Sequence, residues 1–215
     1  MHGFDTDTGR EEAGPRLRST QMPYCQEDED CLSADNENDF EPLRTAVVRN
    51  GADIYFGNDA GELIQYTRNT VSWAFRTDAQ RNVRGDIAAT DEIVVFSDRS
   101  GAIYGVNPDP EEATKKRTTD KYETPERIWV EFTDENRWIV GGPVISGDYV
   151  YVIDSHGVLY MIDLERGKTI HKLDLWSGDN PCVSCRSTPA IEGDMLFVGT
   201  KDGTIVGVQL PVYTD

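Results

Sequence analysis

Apolar residues along the chain fall in short runs, separated by Gly, Asp and Asn. The runs at 53–57, 93–97, 149–153 and 195–199 are rich in Val, Ile, Tyr and Phe, which suit a pleated surface packed on its faces. Each leads through a Gly/Asp turn into a second apolar run, such as 103–106 or 159–162, so the pattern predicts antiparallel hairpins. No apolar stretch approaches the roughly 20 residues that cross a bilayer as a helix, and the first thirty residues lack the charged start and apolar run of a signal peptide.

The pattern also recurs. Segments 45–64, 85–104, 142–160 and 188–206 align on the turn glycines Gly61, Gly101, Gly157 and Gly203. Each predicts three strands, and an outer fourth strand is expected at 71–75, 128–132 and 169–173. A lone four-stranded sheet of this size cannot bury both faces, so the units must stack, and a radial stack of them is a β-propeller. The expected fold is all-β, with about four blades of four-stranded antiparallel sheet. Asp59, Asp98, Asp154 and Asp202 lie at the turns and are expected to bond free turn amides there, since a calcium loop would gather several carboxylates in one short segment.

The third and fourth units resemble the PQQ-like β-propeller repeat family. The resemblance rests on Gly142-Pro143, the Gly147-Asp148 turn, the Tyr-Val-Tyr-Val strand, Gly157-Val-Leu-Tyr and the Asp163 to Gly167-Lys168 turn, then on Thr188-Pro189, Gly193-Asp194 and Asp202-Gly203. The first two units are looser. The resemblance implies blades at 42–78, 79–135, 136–177 and 186–210 within a propeller region of 42–215. Residues 1–9 resemble the end of a third strand and the following turn, and are read as the end of a truncated blade. Residues 10–41 are expected to form an acidic, Cys-containing loop or partly disordered insert. Both ends of the sequence are read as falling inside a blade, so the expectation is a fragment, or a misplaced start codon, of a longer propeller; members of this family usually have seven or eight blades. The stretch 107–127 lengthens the second unit and is expected to be a solvated excursion.

Charge narrows the partners. With 39 acidic against 21 basic residues the net charge is -18, which repels a phosphate backbone and argues against nucleic acid. Only six of the basic residues are lysines. Proteins kept soluble in concentrated salt have this composition, and a high-GC genome gives the same arginine bias.

The four cysteines form two local pairs, Cys25 with Cys31 and Cys182 with Cys185. Two short-loop disulfides, one four-thiolate zinc site and reduced thiols compete, and the disulfides are favoured because the pairs fall in distant units. The first pair resembles a Cys-x-x-Asp-x-Asp-Cys pattern of secreted bacterial proteins. Disulfides imply a periplasmic, extracellular or cell-surface location. Arg186 follows the second pair where haem attachment needs His.

The family includes quinoprotein dehydrogenases, which stack the quinone PQQ on a disulfide between adjacent cysteines and pair calcium with a catalytic Asp. This chain has no adjacent cysteines and no match to the calcium motif, so no catalytic, metal or cofactor residue is assigned. His2, His156 and His171 are scattered, with His156 in a hairpin turn and His171 on an outer strand. Arg44 and Arg84 share one repeat position just before the innermost strand and Arg186 lies one residue from it, which places all three at the mouth of the central channel as candidate ligands for a carboxylate or phosphate. The alternative is that they neutralise acidic neighbours. Trp73, Trp129 and Trp176 follow third strands, as do the family's blade-docking tryptophans. Trp138 has no counterpart in the repeat.

The expected function is a non-catalytic scaffold that binds another protein through loops or open blade edges, by analogy with the family's outer-membrane assembly scaffold. Open edges would also permit self-association. Two alternatives stand beside it: a fragment of a PQQ-dependent oxidoreductase, using PQQ and calcium, and a sugar or anion binder at the channel mouth.

Overall fold

The computed structural model describes residues 43, 45–68, 70–114, 122–139, 141–175, 187–200 and 203–211, with the backbone of 3–4 and 11–12. The first blade contains β3 (Val48–Asn50), β4 (Asp53–Gly57), β5 (Glu62–Thr67) and β6 (Thr70–Arg76). The second holds β7 (Ala88–Ala89), β8 (Val94–Ser97), β9 (Ala102–Val106) and β10 (Arg127–Phe132). In the third are β11 (Val144–Ser146), β12 (Tyr149–Ile153), β13 (Val158–Asp163) and β14 (Thr169–Asp174), and in the fourth β15 (Ala190–Glu192), β16 (Met195–Gly199) and β17 (Ile205–Gln209). A short pair, β1 (Gly3–Phe4) with β2 (Glu11–Glu12), lies near the N-terminus. Neighbouring strands within each blade are sequential and antiparallel, so every blade is a meander. The chain is all-β, as the apolar pattern requires, and its blades are those of a propeller.

Strand alternation explains how the blades stack. Successive side chains point to opposite faces, and in β8 Val94 and Phe96 join the cluster with Tyr55, Leu63, Trp73 and Phe75 of the first blade. Val95 points the other way, into a cluster with Val150, Val152, Tyr160 and Ile162 of the third blade. In β12 and β13 the opposite faces, Tyr151, Ile153, Leu159 and Met161, meet Leu196, Val198 and Val208 of the fourth. In the first three blades the middle strands are therefore buried on both faces, which is why their sequences read as nearly unbroken apolar runs, whereas β16 and β17 of the fourth keep one face exposed. The outer strand β14 alternates between half-buried and exposed positions. Burying one such large apolar side chain stabilises the fold by about 1.5–3 kcal/mol, so interblade packing dominates.

Near the propeller axis the inner segments converge. A Cβ placed on Gly85 would lie 2.3 Å from the carbonyl oxygen of Gly141, and one on Gly141 would lie 2.4 Å from that of Ser187, so backbones approach there as only glycine permits. Thr188 Oγ1 accepts the amide of Gly142 at 2.9 Å and donates to Oδ2 of Asp86 at 2.5 Å. One hydroxyl thus ties the second, third and fourth blades together.

The described parts of 107–127 depart from the expected solvated excursion. Ala74 N donates to Glu123 O at 2.9 Å, and Pro108 O accepts both Gln65 Nε2 and Trp73 Nε1. The connection leans on the first blade because those buried donors need acceptors.

Candidate binding groove

A meander places the turn between its second and third strands at the same end as the exit of its fourth. In the first three blades that end carries two loops, the turn and the crossover to the next blade. Buried side chains pin the two together. Asp98 Oδ1 accepts the amides of Ser100 and Ala102, and Asp154 Oδ1 those of His156 and Val158. The second oxygen of each takes a phenol: Tyr104 OH donates to Asp98 at 3.4 Å and Tyr160 OH to Asp154 at 3.2 Å. Each phenol oxygen in turn accepts a crossover amide, from Asp78 and Asp134 respectively. Burial pushes both phenols well above the ordinary tyrosine range, with the neighbouring carboxylates adding to the rise.

In the first blade the turn position belongs to Asn58, whose Oδ1 accepts the amide of Glu62 at 2.8 Å, and not to Asp59. Asp59 sits one residue later and reaches outward. Its Oδ1 accepts Asn82 Nδ2 at 2.8 Å and Arg84 Nε at 3.1 Å, joining turn to crossover by charge. Arg84, one of the three candidate channel arginines, is therefore held by an acidic neighbour. Arg44, Arg186 and Asp202 lie outside the described residues, as do Cys25, Cys31, Cys182, Cys185 and Trp176.

Trp73 is fully buried and donates Nε1–H to Pro108 O of the second blade at 3.2 Å. Trp129 repeats this one blade on, donating to Leu164 O of the third blade at 2.9 Å. It packs against Gly167, where φ is +63° and an added Cβ would lie 2.3 Å from two atoms of the indole ring. His156 is in the turn of the third blade and His171 on β14. Among the described residues no three His, Cys, Asp or Glu side chains converge as a metal site needs, and no helix is long and apolar enough to cross a membrane.

Trp138 stands apart from these packed tryptophans. Half its surface is exposed, and half that of Phe132 is exposed beside it. Both line a groove of about 670 Å³, open to solvent, between the crossovers that flank the second blade. Arg81 and Asn82 come from the crossover before that blade, Arg99 from its central turn, and Asn136 from the crossover after it. Trp138 is held in place despite its exposure. Its carbonyl accepts Ser155 N at 2.7 Å, its neighbour Ile139 is buried, and the Arg99 guanidinium lies 4.5 Å from the centre of its ring. Other arginines at this end have carboxylate partners, Arg76 with Glu62, Arg84 with Asp59, and Arg137 with Glu135 and the buried Asp154, and Arg127 at the start of β10 pairs with Asp78 of the crossover. Among the described residues Arg81 and Arg99 have none. Three separate segments, 79–82, 99–100 and 132–138, build this groove, so strand periodicity carried no sign of it; the sole local signal was a tryptophan without a repeat counterpart.

Residues 127–211 match the family described as outer membrane protein assembly factor BamB. Similar solved structures include BamB from Moraxella catarrhalis, at 18% identity and a TM-score of 0.60, covering 77% of this chain and 45% of that one. The computationally designed Ika4 protein matches at 14% identity and a TM-score of 0.60, covering 79% of this chain and 91% of its own length. The designed Ika8 protein matches at 13% identity and a TM-score of 0.54, over 78% of this chain and 46% of the other. The chain thus spans less than half the length of the BamB structure. No curated protein sequence matches it. Over residues 127–211 the chain carries the PQQ-like repeat of the BamB type, set in a propeller fold that its first two blades share.

Proposed function

We propose that this protein is a non-catalytic propeller scaffold that binds another protein through the groove at the crossover end of its second blade, in the periplasm or at the cell surface. The observation that carries the reading is the pair of half-exposed aromatics, Phe132 and Trp138, held on a rigid frame beside two guanidinium groups without acid partners. Aromatic residues and arginine are the side chains that dominate protein interfaces, because they bring large contact area with little rotamer entropy to lose. The likeness to BamB supports an assembly role, and the two cysteine pairs favour an oxidising compartment.

The test is affinity purification of the tagged chain from its native cell, beside a Phe132→Ser/Trp138→Ser double variant. A stoichiometric companion that the variant loses is the expected result. A companion retained by the variant, or none with either, contradicts the reading.

The outer edge of β17 favours a second mode of association. Among the described residues no strand pairs with that edge, and Ile205 on it is 73% exposed. A second copy of the chain adding a strand there would cover both.

A further inference from the structure

We infer that the groove recognises an extended segment of its protein partner in which carboxylate side chains alternate with bulky apolar ones. The inference rests on the protein-binding reading above and names the chemistry of the partner. On a chain of net charge -18, Arg81 and Arg99 line one groove, and neither has a carboxylate partner among the described residues. Arg99 is positioned by the Trp138 ring, and a cation held by a ring face spends none of its N–H donors there. Its fork stays available for bidentate pairing with a carboxylate. Phe132 and the rest of Trp138 supply apolar surface beside those charges. The exposed Asn136 offers an amide that matches the hydrogen-bonding groups of an extended peptide backbone.

The surrounding charge limits the length of the acidic ligand. A long polyanion would meet the field of the whole acidic protein, whereas a few carboxylates within the groove gain the local guanidinium groups before that repulsion grows. Arg99 already occupies space over the indole ring, which disfavours a sugar stacked in the same place. A partner peptide is therefore the occupant that fits both the charge and the aromatic surface.

The experiment is calorimetric titration of the full chain with an acetylated, amidated hexapeptide alternating Asp and Phe, and with its counterpart in which Asn replaces every Asp. Glucuronate serves as the acidic-sugar probe. The acidic peptide is expected to bind at least tenfold more tightly than the Asn peptide and to weaken at least tenfold in an Arg81→Gln/Arg99→Gln variant. Far-ultraviolet circular dichroism and the thermal midpoint of that variant verify its fold, since Arg81 is exposed and Arg99 half-buried. Equal binding of the two peptides, or undiminished binding by the variant, overturns the inference while leaving a protein scaffold standing. So does absence of binding by either peptide at 1 mM. Glucuronate binding as tightly as the acidic peptide overturns it in favour of an acidic sugar, and takes the scaffold reading with it.

Discussion

Thr188 donates a 2.5 Å hydrogen bond to the carboxylate of Asp86, 102 positions earlier in the chain, and so joins the fourth blade to the second across the intervening one. The same hydroxyl accepts the amide of Gly142. Replacing Thr188 by Val keeps the shape and removes both bonds, leaving a half-buried carboxylate and an amide short of partners. The expected cost is about 1–3 kcal/mol in urea unfolding, largely restored by Thr188→Ser. A Val variant as stable as the parent would show that the axis does not depend on this contact.

The two buried Asp–Tyr pairs give the protein an alkaline limit. Burial raises the phenols of Tyr104 and Tyr160 above the ordinary value, and pushes Tyr55 up to about 12. Because the folded values are raised, the stabilisation is complete below about pH 10, where unfolded tyrosines begin to ionise, and is lost as pH climbs toward the folded values. Each phenol contributes up to about 1.4 kcal/mol of loss per pH unit in that window. Tyr160→Phe is expected to be less stable at pH 7, since it strips a donor from Asp154, yet to fall less steeply above pH 10. Denaturant midpoints measured from pH 8 to 11.5 check both parts.

Gly167 separates backbone strain from blade docking. Gly147 has a similar φ, +56° against +63°, and nothing lies within 4 Å of a Cβ placed there. Gly147→Ala thus carries the backbone penalty alone, about 1–2 kcal/mol. Gly167→Ala carries that penalty and also drives a methyl to within 2.6 Å of three Trp129 atoms. It is expected to cost at least about 1 kcal/mol more than Gly147→Ala. Equal losses would mean that Trp129 can shift freely and does not fix the second blade against the third.

Trp138 and Trp129 should behave oppositely. Trp138→Ala removes a half-exposed ring and a cation–π contact, so the stability loss is expected to be under about 1 kcal/mol. Trp129→Ala removes a buried ring and its hydrogen bond to Leu164 O, with an expected loss of about 3–5 kcal/mol. Thermal or chemical unfolding of the two variants decides this.

The blades were legible because the middle strands of the first three are buried on both faces and each turn holds glycine in a left-handed conformation; Gly61, Gly101, Gly157 and Gly203 all have φ between +81° and +89°. Register within a turn was less legible. Asn and Asp serve equally as turn acceptors, so Asn58 took the place assigned to Asp59, and the freed carboxylate paired with Arg84. That pairing spans 25 positions and has no local signature. The groove was illegible for the same reason: Arg81, Arg99 and Trp138 meet only after two blades have stacked. Crossovers obey neither strand nor helix period, so their exposed aromatics can be recognised only once their surroundings are known.

The central claim is that the protein meets its partner at the crossover end of the second blade, and site-specific photo-crosslinking in the native cell tests it most directly. A photoreactive phenylalanine derivative at Phe132 samples the groove, and one at Arg49 samples the first blade on β3. The account predicts one discrete adduct with another protein from position 132 and none from position 49, with the adduct lost when Arg81 and Arg99 are replaced by Gln. Adducts of equal yield from both positions, or from position 49 alone, would contradict it.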